Sequence, residues 1–102
     1  MQIFDEYINF EWDDAKASIN ETKHNVTFEQ ATEVFSDIYA RIVLDTRHSN
    51  IEERFNIIGL DLHSRTLFVC YCERNNGSTI RLISARKATK NEARQYWEQR
   101  SQ

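Results

Sequence analysis

The sequence predicts an α+β fold: two N-terminal helices, a four-stranded antiparallel sheet and a C-terminal helix. Three observations predict it. Apolar residues recur at helical spacing up to about residue 40, the period changes to two from residue 41, and a capping box at Thr89 opens one more helix. Helices and strands segregated along the chain, with short connections between strands, imply an antiparallel meander with the helices on one face.

Asp13 and Asp14 open the first helix, because carboxylates suit the first turn, where backbone N–H groups lack partners. This helix runs to about His24, with Ala15, Ile19 and Thr22 roughly on one face. Asn25 ends it, since asparagine tolerates the left-handed conformation of helix termini. Thr27-Phe28-Glu29-Gln30 is a capping box, and Val26 and Ala31 are placed as its hydrophobic staple. Phe28, Ala31, Val34, Phe35 and Ile38 form the apolar stripe of the second helix. Residues 41–45, 54–60, 66–74 and 79–85 read as strands. Asn75-Asn76-Gly77-Ser78 joins the last two and holds Asn-Gly, the strongest short hairpin signal. The segment 8–11 also suits an extra edge strand. Thr89-Lys90-Asn91-Glu92 is the second capping box, and Ala93, Tyr96 and Trp97 share a stripe of the helix it opens.

A length of 102 residues suits one domain spanning 1–102. Hydrophobic residues at 40% and charged residues at 28% describe a globular chain rather than a disordered one. No apolar run approaches the ~18 residues of a membrane helix. The opening residues, with Asp5, Glu6 and Glu11, lack the basic start and apolar stretch of a secretory signal, so a cytoplasmic location is expected. Cys70 and Cys72, two apart in a strand, would have Cα atoms roughly 6.6–6.8 Å apart, at the far edge of disulfide geometry. They read as reduced thiols. The net charge of −3 is unevenly distributed: residues 1–73 carry 14 acids and 6 bases, residues 74–102 carry 2 acids and 7 bases. The balances are −8 and +5. That asymmetry suggests one basic surface facing a polyanion.

Arg81 is the most informative residue. Alternation puts it on one strand face with Ile83 and Ala85, and puts Ile80 and Leu82 on the other. An arginine in mid-strand either snorkels to water from an edge or lies on a groove floor, where its guanidinium can hold a phosphate bidentately. Arg86 and Lys87 close the strand just before a helix N-terminus, a combination suited to phosphate. Lys23, His24, His48 and Glu53 are candidates for a general base, and Arg54 and Arg65 are further cations for a polyanion. The cysteines and histidines have no zinc-ligand spacing, so no metal is expected. The glycines of a Walker loop, dinucleotide fingerprint or nucleophile elbow are missing, so no cofactor is expected either.

Phe10-Glu11-Trp12-Asp13, then Lys16, Asn20 and Lys23-His24 leading into Val26-Thr27-Phe28-Glu29, resembles the opening of BrnT toxins. Asp45, His48-Ser49, Glu52-Glu53-Arg54-Phe55 and Ile58-Gly59 are similar to the central segment of that family. Arg81 and Ile83-Ser84-Ala85-Arg86-Lys87-Ala88-Thr89, with Glu92 and Tyr96, resemble its closing signature. The resemblance implies a RelE-like fold and a ribonuclease toxin of a type II toxin–antitoxin system. It further implies translation arrest and neutralisation by a BrnA-like ribbon-helix-helix antitoxin, through which alone the toxin would reach operator DNA. The implied chemistry is metal-independent attack of a ribose 2′-hydroxyl on the adjacent phosphate. The site residues are then Arg81 and Arg86 with a base among Lys23, His24, His48 and Glu53, and Arg54, Arg65 and Lys87 for RNA binding. The alternative is an inactive homologue that serves as antitoxin partner and operon corepressor. Two positions depart from the family pattern: Asn25 and Ser64 stand where glycine is usual. Serine at 64 argues against a glycine-type backbone there.

Overall fold

The Asp13 carboxylate accepts the Lys16 backbone N–H, and this cap starts α1 (Asp14–His24). Asn25 ends the helix in the left-handed conformation, φ 57°, with its N–H donated to the Glu21 carbonyl. The Thr27 box forms in full: Thr27 Oγ1 accepts from Gln30 N and Gln30 Oε1 accepts from Thr27 N. It opens α2 (Phe28–Glu33), which tightens into a 3-10 turn over Val34–Ser36. The structure, a computed structural model, describes residues 9–45 and 52–102. Among the described residues no helix is long and apolar enough to cross a membrane.

The expected face of α1 is corrected. Ala15, Ile19 and Thr22 are all exposed, and the helix instead buries Asn20 beside Ala17 and His24. Asn20 is the anchor because its carboxamide pairs like a strand residue. Its Nδ2 donates to the carbonyls of Ala85 (2.8 Å) and Val26 (3.0 Å), and its Oδ1 accepts from Ala85 N (3.1 Å). A polar anchor is invisible to hydrophobic periodicity.

Four predicted strands form as β2 (Arg41–Asp45), β3 (Arg54–Leu60), β4 (Thr66–Arg74) and β5 (Thr79–Lys87), the last two residues longer than expected. The sheet is five-stranded and mixed, not four-stranded and antiparallel. A short β1 (Asn9–Glu11) runs parallel to β5, and the strand order is β1-β5-β4-β3-β2. Three residues carry too little alternation to reveal a partner or a direction.

Phe28, Ala31, Val34 and Phe35 pack on one sheet face against Ile57, Leu67, Val69, Tyr71, Ile80 and Leu82. Gly59 permits the close approach: a Cβ there would lie 2.8 Å from Val34 Cγ1. Ile38 is exposed, outside the expected stripe, because Asp37 turns the chain back onto the sheet. The Asp37 carboxylate accepts Tyr39 N on one oxygen and Leu60 N and Tyr96 Oη on the other.

The helices do not share one face. Cys70 pairs with Ser84 but Tyr71 pairs with Leu82, so Ile83 is an extra residue, a β-bulge. The bulge inverts the alternation beyond it. Ala85 therefore joins the core with Ile80 and Leu82, correcting its expected grouping with Arg81, and Arg86 falls on the opposite face. There Arg86 lies over Phe68 and bonds Glu92 of α3 (Lys90–Arg100), which places α3 on the face away from α1 and α2. Tyr96 is buried and Trp97 stays exposed. The Thr89 box that starts α3 also forms in full.

At the β3–β4 turn, Ser64 adopts φ 62°, the conformation expected to need glycine. Asp61 compensates by accepting His63 N and Arg65 N on Oδ1 and Arg65 Nε on Oδ2.

Candidate active site

The sheet register assembles a row of side chains on the α3 face, at the end opposite α3 itself. Glu11 on β1 pairs with Arg81 on β5, Arg81 pairs with Cys72 on β4, and one further step in the β3–β4 register brings Arg54 beside Cys72. Adjacent strands are roughly 4.8 Å apart, so Arg54 and Arg81 flank one small, buried thiol. Arg74, two residues beyond Cys72, lies on the same face. Three guanidiniums therefore converge around Cys72.

Each arginine is held differently. Arg81 Nη1 donates to Glu11 Oε2 at 2.9 Å, and Arg74 Nη2 donates to Glu52 Oε2 at 3.2 Å. The Cys72 sulfur beside it, with the charges of Glu52 and Glu11, holds Arg74 above its ordinary pKa. Arg54 Nε is buried with no hydrogen-bond partner among the described residues. A buried guanidinium N–H without an acceptor is costly. A cavity of about 340 Å³ at the same end of the sheet is lined by Glu52, Glu53, Phe55, Glu73, Arg74 and the Asn75–Gly77 hairpin; of the three arginines it is Arg74 that borders it.

The predicted site residues are distributed over several places. Arg81 and Arg54 come to either side of Cys72, while Glu53 lines the cavity that Arg74 borders. Lys23 and His24 line a separate groove of about 220 Å³ between α1 and β5, with Lys16, Ile19 and Ser84. Arg86 is held bidentately by Glu92 at 2.8 and 3.1 Å, and Lys87 is exposed at the end of β5. Arg65 is a clamp: besides Asp61, its guanidinium donates to the Asn25 carbonyl and Gln30 Oε1, tying the β3–β4 turn to the α1–α2 junction. His48 lies outside the described residues. The sequence reasoning missed Arg74 and Glu11 as members of the cluster. Continuing the strand alternation from Cys72 to Arg74 was a signal for the first; the second needed the parallel pairing of β1.

Among the described residues, Glu33, Asp61 and His63 could bring three metal ligands within 4.8 Å of one another. They stand at the β3–β4 turn, at the other end of the sheet. Both Asp61 oxygens there already accept protein N–H groups.

No curated protein matches the chain. Among solved structures, it is similar to the Brucella abortus ribonuclease toxin BrnT, with a TM-score of 0.63 at 20% identity, covering 81% of this chain and 99% of that one. At that identity the likeness concerns the fold. The family model for the ribonuclease toxin BrnT of type II toxin–antitoxin systems matches residues 12–92, spanning α1 through the first turn of α3 and all three arginines. The chain belongs to the BrnT family of ribonuclease toxins.

Proposed function

We propose that this chain cleaves RNA at the arginine cluster, arrests translation by doing so, and is neutralised by a BrnA-like ribbon-helix-helix antitoxin. The observation that carries the reading is the placement of Arg54, Arg74 and Arg81 on one sheet face by the strand register, around Cys72. A phosphodiester displaces Glu11 and Glu52 from Arg81 and Arg74, whose guanidiniums are partly exposed. The reaction needs no metal. A base takes the proton of a ribose 2′-hydroxyl, O2′ bonds to phosphorus, the P–O5′ bond breaks and O5′ is protonated. The products are a 2′,3′-cyclic phosphate and a 5′-hydroxyl. The two guanidiniums flanking Cys72 stabilise the charge that grows on the phosphoryl oxygens.

Glu53 serves as the base in this reading, being the one candidate base among the described residues that lines the cavity beside Arg74. Lys23 and His24 hold the RNA strand away from the cleaved bond, and Lys87 adds charge at the strand end. Arg86 and Arg65 act by fixing α3 and the β3–β4 turn. Operator DNA is reached through the antitoxin.

The test uses purified protein and an RNA oligonucleotide with a single 2′-deoxy substitution at the mapped cleavage position. Cleavage of the all-ribose strand to a cyclic phosphate is expected, with loss of cleavage at the deoxy position and no change in excess chelator. Cleavage that survives the deoxy substitution overturns the mechanism, and cleavage that chelator abolishes and magnesium restores overturns its independence of metal. The inactive-corepressor alternative predicts no cleavage alongside retained antitoxin binding.

A further inference from the structure

The stripe of α1 that borders β5 is cationic with an apolar centre. Lys16, Ile19, Asn20, Lys23 and His24 follow the i, i+3, i+4, i+7, i+8 spacing of one helix face. With Ile83 and Ser84 of β5 they line the groove of about 220 Å³. Lys16 and Lys23 are the only lysines among residues 1–73, the acidic part of the sequence. No carboxylate lines the groove among the described residues. Ile19 is 65% exposed, across the groove from the half-buried Ile83.

Two features of β5 open this groove. β1 pairs with β5 only as far as Arg81, so the edge beyond it has no strand beside it among the described residues, and α1 meets it through Asn20. The bulge lies just there. Leu82 and Ala85 fill the core, while the two residues between them, Ile83 and Ser84, line the groove instead. Bulges re-aim side chains next to functional sites. Ile83 follows Arg81 by two residues, roughly 6–7 Å along the strand, a distance that one nucleotide of an extended RNA strand bridges. A strand whose phosphate lies at Arg81 therefore reaches the groove with its next nucleotide.

We propose that the α1–β5 groove is a nucleotide subsite, which takes the nucleotide adjacent to the cleaved one. Its base lies on Ile19 and Ile83, and its phosphate meets Lys16, Lys23 and the His24 imidazole. This subsite presupposes cleavage at the arginine cluster. The groove is smaller than the ~300 Å³ at which pockets for drug-sized ligands begin, and suits a single flat base. Cations around an apolar floor match both halves of a nucleotide, whereas an acidic peptide matches only the cations.

Binding and cleavage of a short RNA by the full chain test the subsite. Binding uses a strand made uncleavable by a 2′-deoxy substitution at the mapped position, titrated from low to high salt. Lys23→Ala is expected to weaken binding and to reduce the slope of log affinity against log salt by roughly 0.7, the contribution of one phosphate on a single strand. Ile19→Ala, at an exposed position, is expected to raise KM several-fold for the all-ribose strand with kcat unchanged, the pattern of a lost uniform binding contact. An abasic nucleotide is placed beside the cleaved one on each side in turn. At one of the two positions it should weaken binding to the wild type, and weaken binding to Ile19→Ala much less. Abasic strands that bind the wild type as well as intact RNA does, or an unchanged salt slope in Lys23→Ala, overturn the proposal. Arg81→Ala separates the two readings. If it is crippled in cleavage while Ile19→Ala behaves as wild type, the groove alone is wrong. If it cleaves fully while Ile19→Ala is impaired, the cleavage reading falls and the groove stands. Weaker antitoxin binding by Lys23→Ala with RNA binding intact gives the groove to an acidic peptide, which also overturns the proposal.

Discussion

A guanidinium stays charged at any physiological pH, so what an arginine does is decided by what its five N–H groups meet. Arg65 meets a carboxylate, a backbone carbonyl and a side-chain amide at once, and the carboxylate it holds is fully buried. Arg65→Ala is therefore expected to cost stability, about 3 kcal/mol by the usual penalty for stranding a buried charge, measured as a lowered urea midpoint. Arg81 meets one half-exposed carboxylate that a phosphate can replace. Arg81→Ala is expected to leave folding intact and cut RNA cleavage roughly a hundred- to thousand-fold, the usual loss on removing one preorganised donor. Arg81→Lys should recover part of that loss, because lysine keeps the charge without the bidentate fork. Growth on induction without antitoxin reports the same order of variants. Full arrest by a folded Arg81→Ala protein would move the site away from the cluster. Arg94, exposed on α3 and bonded to Asn91, supplies the near-neutral control.

Elements were legible where a local signal sufficed. Both capping boxes, the Asn25 stop, the Asn-Gly hairpin and the bounds of β2, β3 and β4 follow from residues within a few positions of each other. The parts that were not legible are set by partners distant in sequence. β1 is three residues long and its partner lies about seventy positions away. The Ile83 bulge cannot be seen in an apolar strand that alternates well on either side of it. Asn20 anchors α1 through Ala85, a contact across 65 positions. Asn20→Ala is expected to cost about 1–3 kcal/mol by leaving buried backbone groups of Ala85 and Val26 unpaired. Ser64 shows the converse, a strained conformation held by the Asp61 turn. A non-glycine residue in that region costs roughly 1–2 kcal/mol, so Ser64→Gly should raise the urea midpoint by the equivalent of about 1 kcal/mol after glycine's greater unfolded-state entropy is counted. No gain would mean that serine contributes more to this turn than its backbone costs.

At the scale of the molecule, the fold mixes the charge asymmetry of the sequence instead of displaying it as one basic surface. Arg81 takes Glu11 and Arg74 takes Glu52, each an acid of the acidic segment set against a base of the basic one, while Arg86 takes the nearby Glu92. The candidate site was thus half legible: composition pointed to the basic third and the mid-strand position to Arg81, with Arg54 a further cation, but their convergence needed the register. The same pairing shapes the dependence of stability on pH. Burial alone raises the Asp61 carboxyl, but the backbone N–H groups of Arg65 and His63 and the Arg65 guanidinium outweigh it, so the net pKa lies below the ordinary value of 3.8. Burial likewise raises Glu92, and Arg86 and Thr89 outweigh it, bringing the net below 4.5. A carboxylate with a depressed folded pKa adds stability that is present above its unfolded pKa and lost as pH falls through the folded one. Tyr96 lies on the other limb: burial first, then the Asp37 hydrogen bond, pushes it up to about 12. A phenol with a raised folded pKa adds stability that is complete below its unfolded pKa of 10.0 and lost as pH climbs toward 12. Unfolding free energy from urea titrations should therefore form a plateau near neutrality, falling below about pH 4 and again above about pH 10. Asp61→Asn should lower the plateau and flatten the acid limb, because an amide can neither titrate nor offer Arg65 a charge. Tyr96→Phe should make the alkaline limb shallower and leave the acid limb unchanged, the remaining alkaline slope belonging to Tyr71, whose phenol burial also raises. An acid limb as steep in Asp61→Asn as in the wild type would show that the β3–β4 turn is not where acid enters the fold.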